Sequence, residues 1–386
     1  MMGRPRYDIL DGLRGVAALM VLLYHVFNDA KSFYVWPAAV GEFYHSFLGV
    51  DFFFILSGFV MGYAYDERWK VSPPPSSQDV KGTLTFWGFV RRRLIRLHPM
   101  VVMGVLLGVI AFVIQGSTRW DGTEVTIQAL ILSTLLALFL IPSPTGMDVR
   151  GYTEIFPLNG PHWSLFFEYI GSLLYGLLLH RLPTKWLRVW VASGILSITA
   201  FALLNENGGI AYGWSSEPMS LLGGALRMLY AYPMGLLMAR MFHKRNPKPL
   251  RGHVFLLSSL TLIVILGMPS LSDIFGDKDA NTIYQLVCLL SLFPAIIWFA
   301  ARGTVSGWRQ RTVSFLGRLS YPLYAVHYPF IYLYITWVGL DRDAYQGYTH
   351  PWLLAFVTIA ASLLLATLCL LLYDEPLRKR LMMSPK

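Results

Sequence analysis

The sequence predicts an all-α fold, a polytopic membrane helix bundle of about ten transmembrane helices, with eleven as the alternative count. Of the 386 residues, 55% are hydrophobic and 14% are charged, whereas soluble domains carry about 25% charged residues. The mean hydropathy is +0.50, and apolar runs long enough to cross a bilayer recur along the chain. Because a membrane span must satisfy its own backbone hydrogen bonds, each run is expected to be an α-helix.

Eleven apolar runs are candidate spans. The run at 125–141 is the weakest of them, because it is short and is followed directly by Pro142 and Pro144. We expect it to be re-entrant or to lie on the outer surface, which leaves ten spans. The other candidates lie at 10–28, 47–65, 97–115, 164–180, 186–204, 219–242, 253–270, 282–301, 315–338 and 351–373.

Lysine and arginine are concentrated in alternate loops, which is the distribution that marks the cytoplasmic side of a membrane protein. The net charge of +10 therefore indicates orientation in the membrane and no nucleic-acid partner. We expect one integral-membrane domain at 6–380, with short cytoplasmic tails at 1–5 and 381–386. Cys288 and Cys369 lie within apolar runs, which favours packing roles over a disulfide or a metal site.

The first run, at 10–28, has a cation at its start and a histidine near its end. Arg14 and His25 are eleven positions apart, so they return to nearly the same helix face, about 16 Å apart along the axis. Asp11 precedes Arg14 by one turn and can pair with it. Because lipid offers a histidine no hydrogen-bonding partner, His25 is a candidate functional residue.

Polar residues interrupt two other runs. Asp51 lies in the second run and requires a cationic or hydrogen-bonding partner there. Ser57 and Gly58 follow it, and they either line a site or allow two helices to approach closely. Arg227 is a second cation inside an apolar segment, and the sequence does not identify its partner.

The basic stretch FWGFVRRRLIRLHP ends where Pro99 opens the next run. One interpretation is a stop signal that contacts anionic lipid. The other is a phosphate clamp, because Arg93 and Arg96 are three positions apart and share a helix face. Arginine binds phosphate through two parallel hydrogen bonds, so a nucleotide-bearing donor would fit this pair.

Two later segments also place polar groups in apolar surroundings. Ser164 followed by Glu168 fits a helix N-terminal cap, although an intramembrane glutamate more often faces a cavity than lipid. Ser320, Tyr324 and His327 follow i, i+4, i+7 spacing, and we expect one polar stripe on a single helix. Such a stripe indicates a wet cavity or a sugar-binding wall, whereas a lone histidine is commonly structural.

In chain order, the motifs DGLRG…H, GVDFFFILSGF, RRRLIRLHP, WSLFFE and SYPLYAVH resemble those of acyltransferase family 3, from about residue 6 to residue 380. Family members are integral-membrane acyltransferases, many of which O-acetylate bacterial surface and secreted polysaccharides. Any one motif is weak, but five in this order are specific. Where the family often has glutamate two places before a proline, this chain has Asp374, ahead of Glu375 and Pro376.

The resemblance implies where the functional residues lie. The family's motifs fall on the arginine–histidine pair Arg14 and His25, the R-x-x-R pair Arg93 and Arg96, the tryptophan–serine–glutamate set Trp163, Ser164 and Glu168, and the tyrosine–histidine pair Tyr324 and His327.

The resemblance implies an O-acetyltransferase of the bacterial cytoplasmic membrane, which moves an acetyl or other short acyl group from cytoplasmic acyl-CoA to a hydroxyl of a cell-surface or secreted glycan or glycolipid. Acetyl-CoA is then a donor substrate, with no tightly bound cofactor and no metal, and membrane lipids are the other partners. Arg93 and Arg96, with Arg14, are expected to hold the donor's phosphates. His25 is expected to act as general base, and Glu168 to orient or deprotonate the acceptor from the outer side.

Attack on the thioester produces an oxyanion, which needs hydrogen-bond donors. Direct transfer and a two-step route through acetyl-histidine are both compatible with the sequence. The candidate oxyanion donors and substrate contacts are Tyr324, His327, Arg227, Asp11, Ser57 and Trp163.

Two other classes of function compete with this interpretation. A proton-coupled transporter could use His25, Glu168 and His327 as a relay, but such carriers often show repeated halves, and no repeat is evident. A non-catalytic membrane protein could use the same polar groups to join helices. It predicts that alanine substitutions at His25 or Arg93 lower stability and activity in parallel.

Overall fold

A computed structural model describes residues 7–29, 43–70, 84–277, 279–338 and 351–383. Within them the chain forms fifteen α-helices and no strand, which confirms the predicted fold class. The helices are α1 Asp8–Tyr24, α2 Gly49–Lys70, α3 Phe86–Ile114, α4 Ile127–Leu138, α5 His162–Leu174, α6 Thr184–Leu204, α7 Pro218–Arg245, α8 Val254–Leu266, α9 Leu271–Phe275, α10 Asp279–Val287, α11 Phe293–Ala301, α12 Gly307–Val326, α13 Tyr328–Val338, α14 Pro351–Leu368 and α15 Glu375–Met383.

Seven continuous helical stretches among the described residues are long and apolar enough to cross a membrane. Helix α4 has 12 residues, a rise of about 18 Å, which is shorter than a hydrocarbon core of about 30 Å. Helix α8, in the run at 253–270 that was expected to cross, has 13 residues and is similarly short. Helix length therefore leaves both the non-crossing of 125–141 and the total of ten crossings as predictions. The seven stretches are Asp8–Asn28, Tyr44–Trp69, Phe86–Ile114, Thr184–Leu204, Pro218–Arg245, Asp279–Ala301 and Trp352–Met383.

Helices α2 and α7 pack closely against each other. A Cβ atom on Gly58 would lie 1.9 Å from the carbonyl oxygen of Tyr232, and one on Gly235 would lie 1.9 Å from that of Ile55. The two backbones are therefore in direct contact, and only glycine fits at either position. Gly58 thus has the helix-packing role, which leaves Ser57 beside it to face a cavity.

A buried ion pair joins the same two helices. Arg227 of α7 donates to both carboxylate oxygens of Asp51 on α2, at 2.9 and 2.7 Å. Both side chains are almost fully buried, so each charge compensates the other where water is excluded. This pair supplies the partner that the sequence required for Asp51 and left open for Arg227.

The run at 315–338 is not one helix, contrary to the expectation from its apolar pattern. Helix α12 ends at Val326, His327 forms a bend, and α13 begins at Tyr328. Pro329 has no N–H to donate to the carbonyl oxygen of Ala325 four residues earlier, so the helix breaks there. The side chain of Asn159 donates to that carbonyl instead, at 2.8 Å. His327 therefore lies at a helix junction.

Candidate functional site

Two cavities lie one after the other along α1. The first, of about 530 Å³, is lined by residues from the first two turns of α1, and the second, of about 420 Å³, by residues from its end. We name them the arginine cavity and the histidine cavity, after Arg14, which lines the first, and His25, which lines the second. Val50 and Tyr324 line both cavities and form the wall between them.

The arginine cavity has more basic than acidic groups in its lining. Helices α1, α2, α3, α5, α12 and α15 all contribute to it. Its charged residues are Arg14, Arg93, Arg96, Arg318, Arg378, Asp11, Glu168 and Glu375. Five guanidinium groups against three carboxylates make it suited to an anion.

Arg93 and Glu168 form an ion pair in the wall of this cavity. The Arg93 Nη2 lies 2.8 Å from a Glu168 carboxylate oxygen, and its Nε donates to Ser172 Oγ at 3.1 Å. The Ser57 hydroxyl donates to the same Glu168 oxygen at 3.0 Å. The pair fixes both side chains, because a buried guanidinium requires a counter-charge and acceptors.

Arg96 lies in the same cavity without such a partner. Within the described part of the chain it makes neither an ion pair nor a hydrogen bond, whereas the nearby Arg14 donates to Asp11 at 3.1 Å. All five N–H groups of Arg96 are therefore available to an anionic ligand. The predicted clamp residues Arg14, Arg93 and Arg96 therefore lie together. Of the three, Arg96 is the one without an ion pair to the described residues.

The histidine cavity is predominantly aromatic. It also contains Glu154, which accepts a hydrogen bond of 2.6 Å from the Tyr332 hydroxyl. Aromatic faces with polar edges suit a ligand that presents both apolar faces and hydroxyl groups. The aromatic lining consists of Tyr24, Phe47, Trp120, Tyr152, Trp163, Trp214, Tyr324, Tyr328 and Tyr332.

His25 lies in this cavity at the start of a π-helical turn, His25–Asp29, that continues α1. Such turns are frequent at functional sites. The centroid of its ring is 4.8 Å from that of Tyr328 and 5.4 Å from that of His327. The backbone break at His327 brings these two rings against His25.

His327 lies behind His25 and does not line either cavity. Its Nδ1 is 3.0 Å from the carbonyl oxygens of both Leu323 and Tyr324. Carbonyl oxygens only accept, so the proton is on Nδ1, and the buried Nε2, which has no hydrogen-bonding partner among the described residues, carries the lone pair. This arrangement fits a group that positions His25 through ring contact.

Tyr324 connects the two cavities. Its hydroxyl oxygen is 2.6 Å from Ser164 Oγ and 3.2 Å from the carbonyl oxygen of Pro161. The Phe53 ring packs edge-on against it, with centroids 5.7 Å apart. The predicted Ser164 thus has a role in holding Tyr324 in the wall.

Arg227 and Trp163 form one side of the histidine cavity. The Arg227 Nη1 donates to the carbonyl oxygen of Tyr212 at 2.6 Å, in addition to its two bonds to Asp51. Its guanidinium carbon is 5.0 Å from the Trp163 ring centroid, a cation–π contact. Because three of its five donors are engaged, Arg227 is better suited to fixing Trp163 than to binding an oxyanion.

The structure separates two residues that the sequence analysis assigned to one reaction. Glu168 lies in the arginine cavity and pairs with Arg93, whereas His25 lies in the histidine cavity. This placement does not favour the expected action of Glu168 on an acceptor from the outer side. Asp11 and Ser57 also belong to the arginine cavity.

Several lining residues were absent from the sequence-based candidates. Arg318 and Arg378 belong to the basic loop and tail residues that indicate membrane orientation in the sequence, although Arg318 precedes the stripe at Ser320 by two residues. Glu154 and Tyr328 lie in the histidine cavity. Tyr328 follows His327 directly, so the motif could have indicated it, whereas Glu154 lies in a loop with no such signal. No group of three or more potential metal ligands occurs in the described ranges.

A family model described as an acyltransferase domain matches residues 7–371. The acyltransferase MdmB of Streptomyces mycarofaciens is 26% identical over 382 residues, which cover 94% of this chain and 87% of that protein. The O-acetyltransferase OatA of Staphylococcus aureus is 25% identical over 398 residues, covering 97% of this chain but 58% of that protein. Protein 2 in the picA locus of Rhizobium radiobacter is 31% identical over 176 residues, which are 44% of this chain and 81% of that protein. No solved structure matches the chain significantly.

Proposed function

The chain belongs to acyltransferase family 3 and is a membrane acyltransferase; from this premise we propose that it transfers an acetyl or other short acyl group from acyl-CoA to a hydroxyl of a cell-surface or secreted glycan or glycolipid. The observation that carries the proposal is the pair of adjoining cavities, one lined by arginines and one containing His25. Each cavity has the chemistry that one of the two substrates requires.

The donor occupies the arginine cavity in this proposal. Coenzyme A carries a diphosphate, and guanidinium groups bind phosphate oxygens in pairs. Arg96, which has no ion pair or hydrogen bond to the described residues, binds the diphosphate together with Arg14, while Arg93 keeps Glu168 as its counter-charge. Arg14 and His25 are about 16 Å apart along α1, a distance that an extended pantetheine arm can span past Tyr324.

The acceptor occupies the histidine cavity. Nine aromatic residues line it, and their faces can pack against the apolar faces of sugar rings while the ring hydroxyls meet Glu154 and His25. The basic end of the bundle, at the starts of α1 and α3, then faces the cytoplasm of a bacterial cell, and both termini lie on that side of the cytoplasmic membrane.

His25 acts as general base in the direct route. Its ring nitrogen takes the proton of the acceptor hydroxyl as the hydroxyl oxygen attacks the thioester carbonyl carbon. The carbon–sulfur bond then breaks, and the departing thiolate receives the proton from His25, so the products are an ester and free coenzyme A. We assign Tyr324, at the wall, as the oxyanion donor, with Ser164 donating to the Tyr324 hydroxyl oxygen so that the phenol proton is left for the oxyanion.

A two-step route uses the same residues. His25 attacks the thioester itself and forms acetyl-histidine as the thiolate leaves with a proton. The acceptor hydroxyl then attacks this acyl group, and its proton restores the imidazole. Membership in an enzyme family does not favour the transporter considered from the sequence.

The test uses purified protein in lipid nanodiscs with radiolabelled acetyl-CoA. His25→Ala should reduce coenzyme A release by at least about a hundredfold, because general-base catalysis commonly contributes that much. The matched control is His243→Ala, since His243 is exposed on α7 outside both cavities and should leave the rate unchanged. Label retained on wild-type protein would indicate the two-step route.

Two outcomes would overturn the proposal. One is full activity in His25→Ala, which would remove His25 from the reaction. The other is a wild-type protein that neither binds nor turns over acetyl-CoA or longer acyl-CoA donors.

A further inference from the structure

The five arginines of the arginine cavity form two sets at different depths. Arg93 and Arg14 are 5% and 14% exposed, whereas Arg378 and Arg318 are 25% and 39% exposed. Arg318 and Arg378 thus lie at the mouth of the cavity, and we call them the mouth arginines. A ligand that enters the cavity meets them first.

The C-terminal helix α15 holds one of the mouth arginines and contacts the other. Glu375 of α15 accepts from Arg318 at 2.9 Å, and Arg378 pairs with Asp374 one turn earlier. Arg91 of α3 donates to the carbonyl oxygen of Leu381 at 3.0 Å. Helix α15 is therefore held against the cavity by contacts with both α12 and α3.

The length of the last helical stretch places α15 beyond the hydrocarbon core. Trp352–Met383 has 32 residues, a rise of about 48 Å, against a core of about 30 Å. The final residues of the stretch therefore project into water or the headgroup region. The mouth arginines occupy a position where a water-soluble anion can reach them.

The nearby carboxylates leave both mouth arginines able to bind a further anion. Asp374 is fully buried and does not line the cavity, so it holds Arg378 from behind. Glu375 does line the cavity, but its pair with Arg318 is partly exposed, and solvent-exposed ion pairs are weak. Each guanidinium has five N–H donors, of which the named contacts use one.

We propose that Arg318 and Arg378 bind a phosphomonoester of the donor, separate from its diphosphate, which in coenzyme A is the ribose 3′-phosphate. This inference rests on the proposed function. The groups of coenzyme A follow in the order thioester, pantetheine, diphosphate and ribose phosphate. The cavity presents the same order from His25 outwards: the wall at Tyr324, then Arg14 and Arg96, then the mouth arginines.

The test compares acetyl-CoA with 3′-dephospho-acetyl-CoA. For the wild type, loss of the 3′-phosphate should raise KM about ten- to a hundredfold, the range expected for hydrogen bonds to a charged group. Arg378→Gln and Arg318→Gln should each raise KM for acetyl-CoA and have little effect on KM for the dephospho donor. Their kcat should stay near that of the wild type with either donor, because the reacting atoms are unchanged.

Arg380→Gln is the matched control, because Arg380 is an exposed arginine on the same helix and does not line the cavity. It should retain the wild-type preference for acetyl-CoA. Thermal unfolding of all variants in the same detergent separates loss of fold from loss of binding.

Three results would overturn the inference. The wild type could show equal KM for both donors, or Arg378→Gln could raise both KM values equally, which is the result expected if α15 only needs its ion pairs. The rise in KM for acetyl-CoA caused by Arg378→Gln and Arg318→Gln could also occur in nanodiscs of anionic lipid and vanish in phosphatidylcholine. That result would identify an anionic lipid headgroup as the ligand of the mouth arginines. A wild type that binds neither donor would contradict the proposed function itself.

Discussion

At the scale of single residues, the position of Glu168 is what most changes the interpretation of the catalytic roles. Its carboxylate is shared by Arg93 and Ser57, so its acceptor capacity is directed at the protein. A general base for the acceptor needs to lie near the acceptor hydroxyl. His25 lines the histidine cavity, whereas Glu168 lines the arginine cavity. Glu168 is therefore better described as the counter-charge that keeps Arg93 in the wall.

The substitution Glu168→Gln tests this description through stability. It leaves the Arg93 guanidinium without a charge partner, and we expect a loss of about 1–3 kcal/mol, less than for a dry pair because cavity water reaches the site. Adding Arg93→Met to Glu168→Gln should recover part of that loss, since the two effects are coupled. Thermal unfolding in detergent measures both.

Glu217→Gln provides the comparison, because Glu217 is exposed at the start of α7. It should unfold like the wild type. If Glu168→Gln also unfolds like the wild type and yet loses turnover, Glu168 acts on the acceptor, as the sequence alone suggested.

At the scale of helices, the break between α12 and α13 determines where His327 and Tyr328 point. Pro329 was visible in the sequence, but the apolar pattern continues on both sides of it, and periodicity alone does not locate the break. The break is stabilised by Asn159, a loop residue far away in sequence whose amide replaces the missing donor. Sequence periodicity could predict neither this contact nor the resulting approach of two rings to His25.

Asn159→Ala should therefore weaken the junction. The carbonyl oxygen of Ala325 would lose its partner in a buried place, at a cost of about 1–3 kcal/mol, and kcat should fall because His327 and Tyr328 lose their fixed position. The unfolding midpoint and steady-state kinetics are the measurements. Asn207→Ala, at an exposed amide, is the reference, and equal midpoints for the two variants would contradict the role given to Asn159.

The wall between the cavities makes a prediction about acyl-chain length. Val50 on α2 lines both cavities, as Tyr324 does, and in the proposed reaction the acyl group passes this wall. Val50→Ala should raise the ratio of kcat/KM for butyryl-CoA to that for acetyl-CoA about tenfold, since a few methylene groups in a closed site carry that discrimination.

The control for this change is Val105→Ala, which removes the same atoms from a buried valine of α3 that lines neither cavity. It should lower stability without altering the donor ratio. An unchanged ratio in Val50→Ala would show that the passage lies elsewhere.

At the scale of the whole molecule, the sequence was most informative about features that depend on overall composition or on a single helix. Low charge and long apolar runs predict the helical membrane class, and the eleven-residue spacing of Arg14 and His25 predicts two positions on one face. The pairing of Arg93 with Glu168 and of Asp51 with Arg227 depends on which helices meet, and no local pattern contains that information. The sequence did not indicate the mouth arginines as binding residues for another reason. A basic residue near the end of a membrane span is already explained by its role in orientation.

The two cavities, taken together, have a consequence for the cell that is separate from acyl transfer. They follow one another along α1, and among the described residues Val50 and Tyr324 form the wall that they share. An uninterrupted water-filled path of this kind would let protons run down the electrochemical gradient of an energised membrane. In the proposed reaction, the two side chains that let an acyl group pass would therefore also have to block this path for protons.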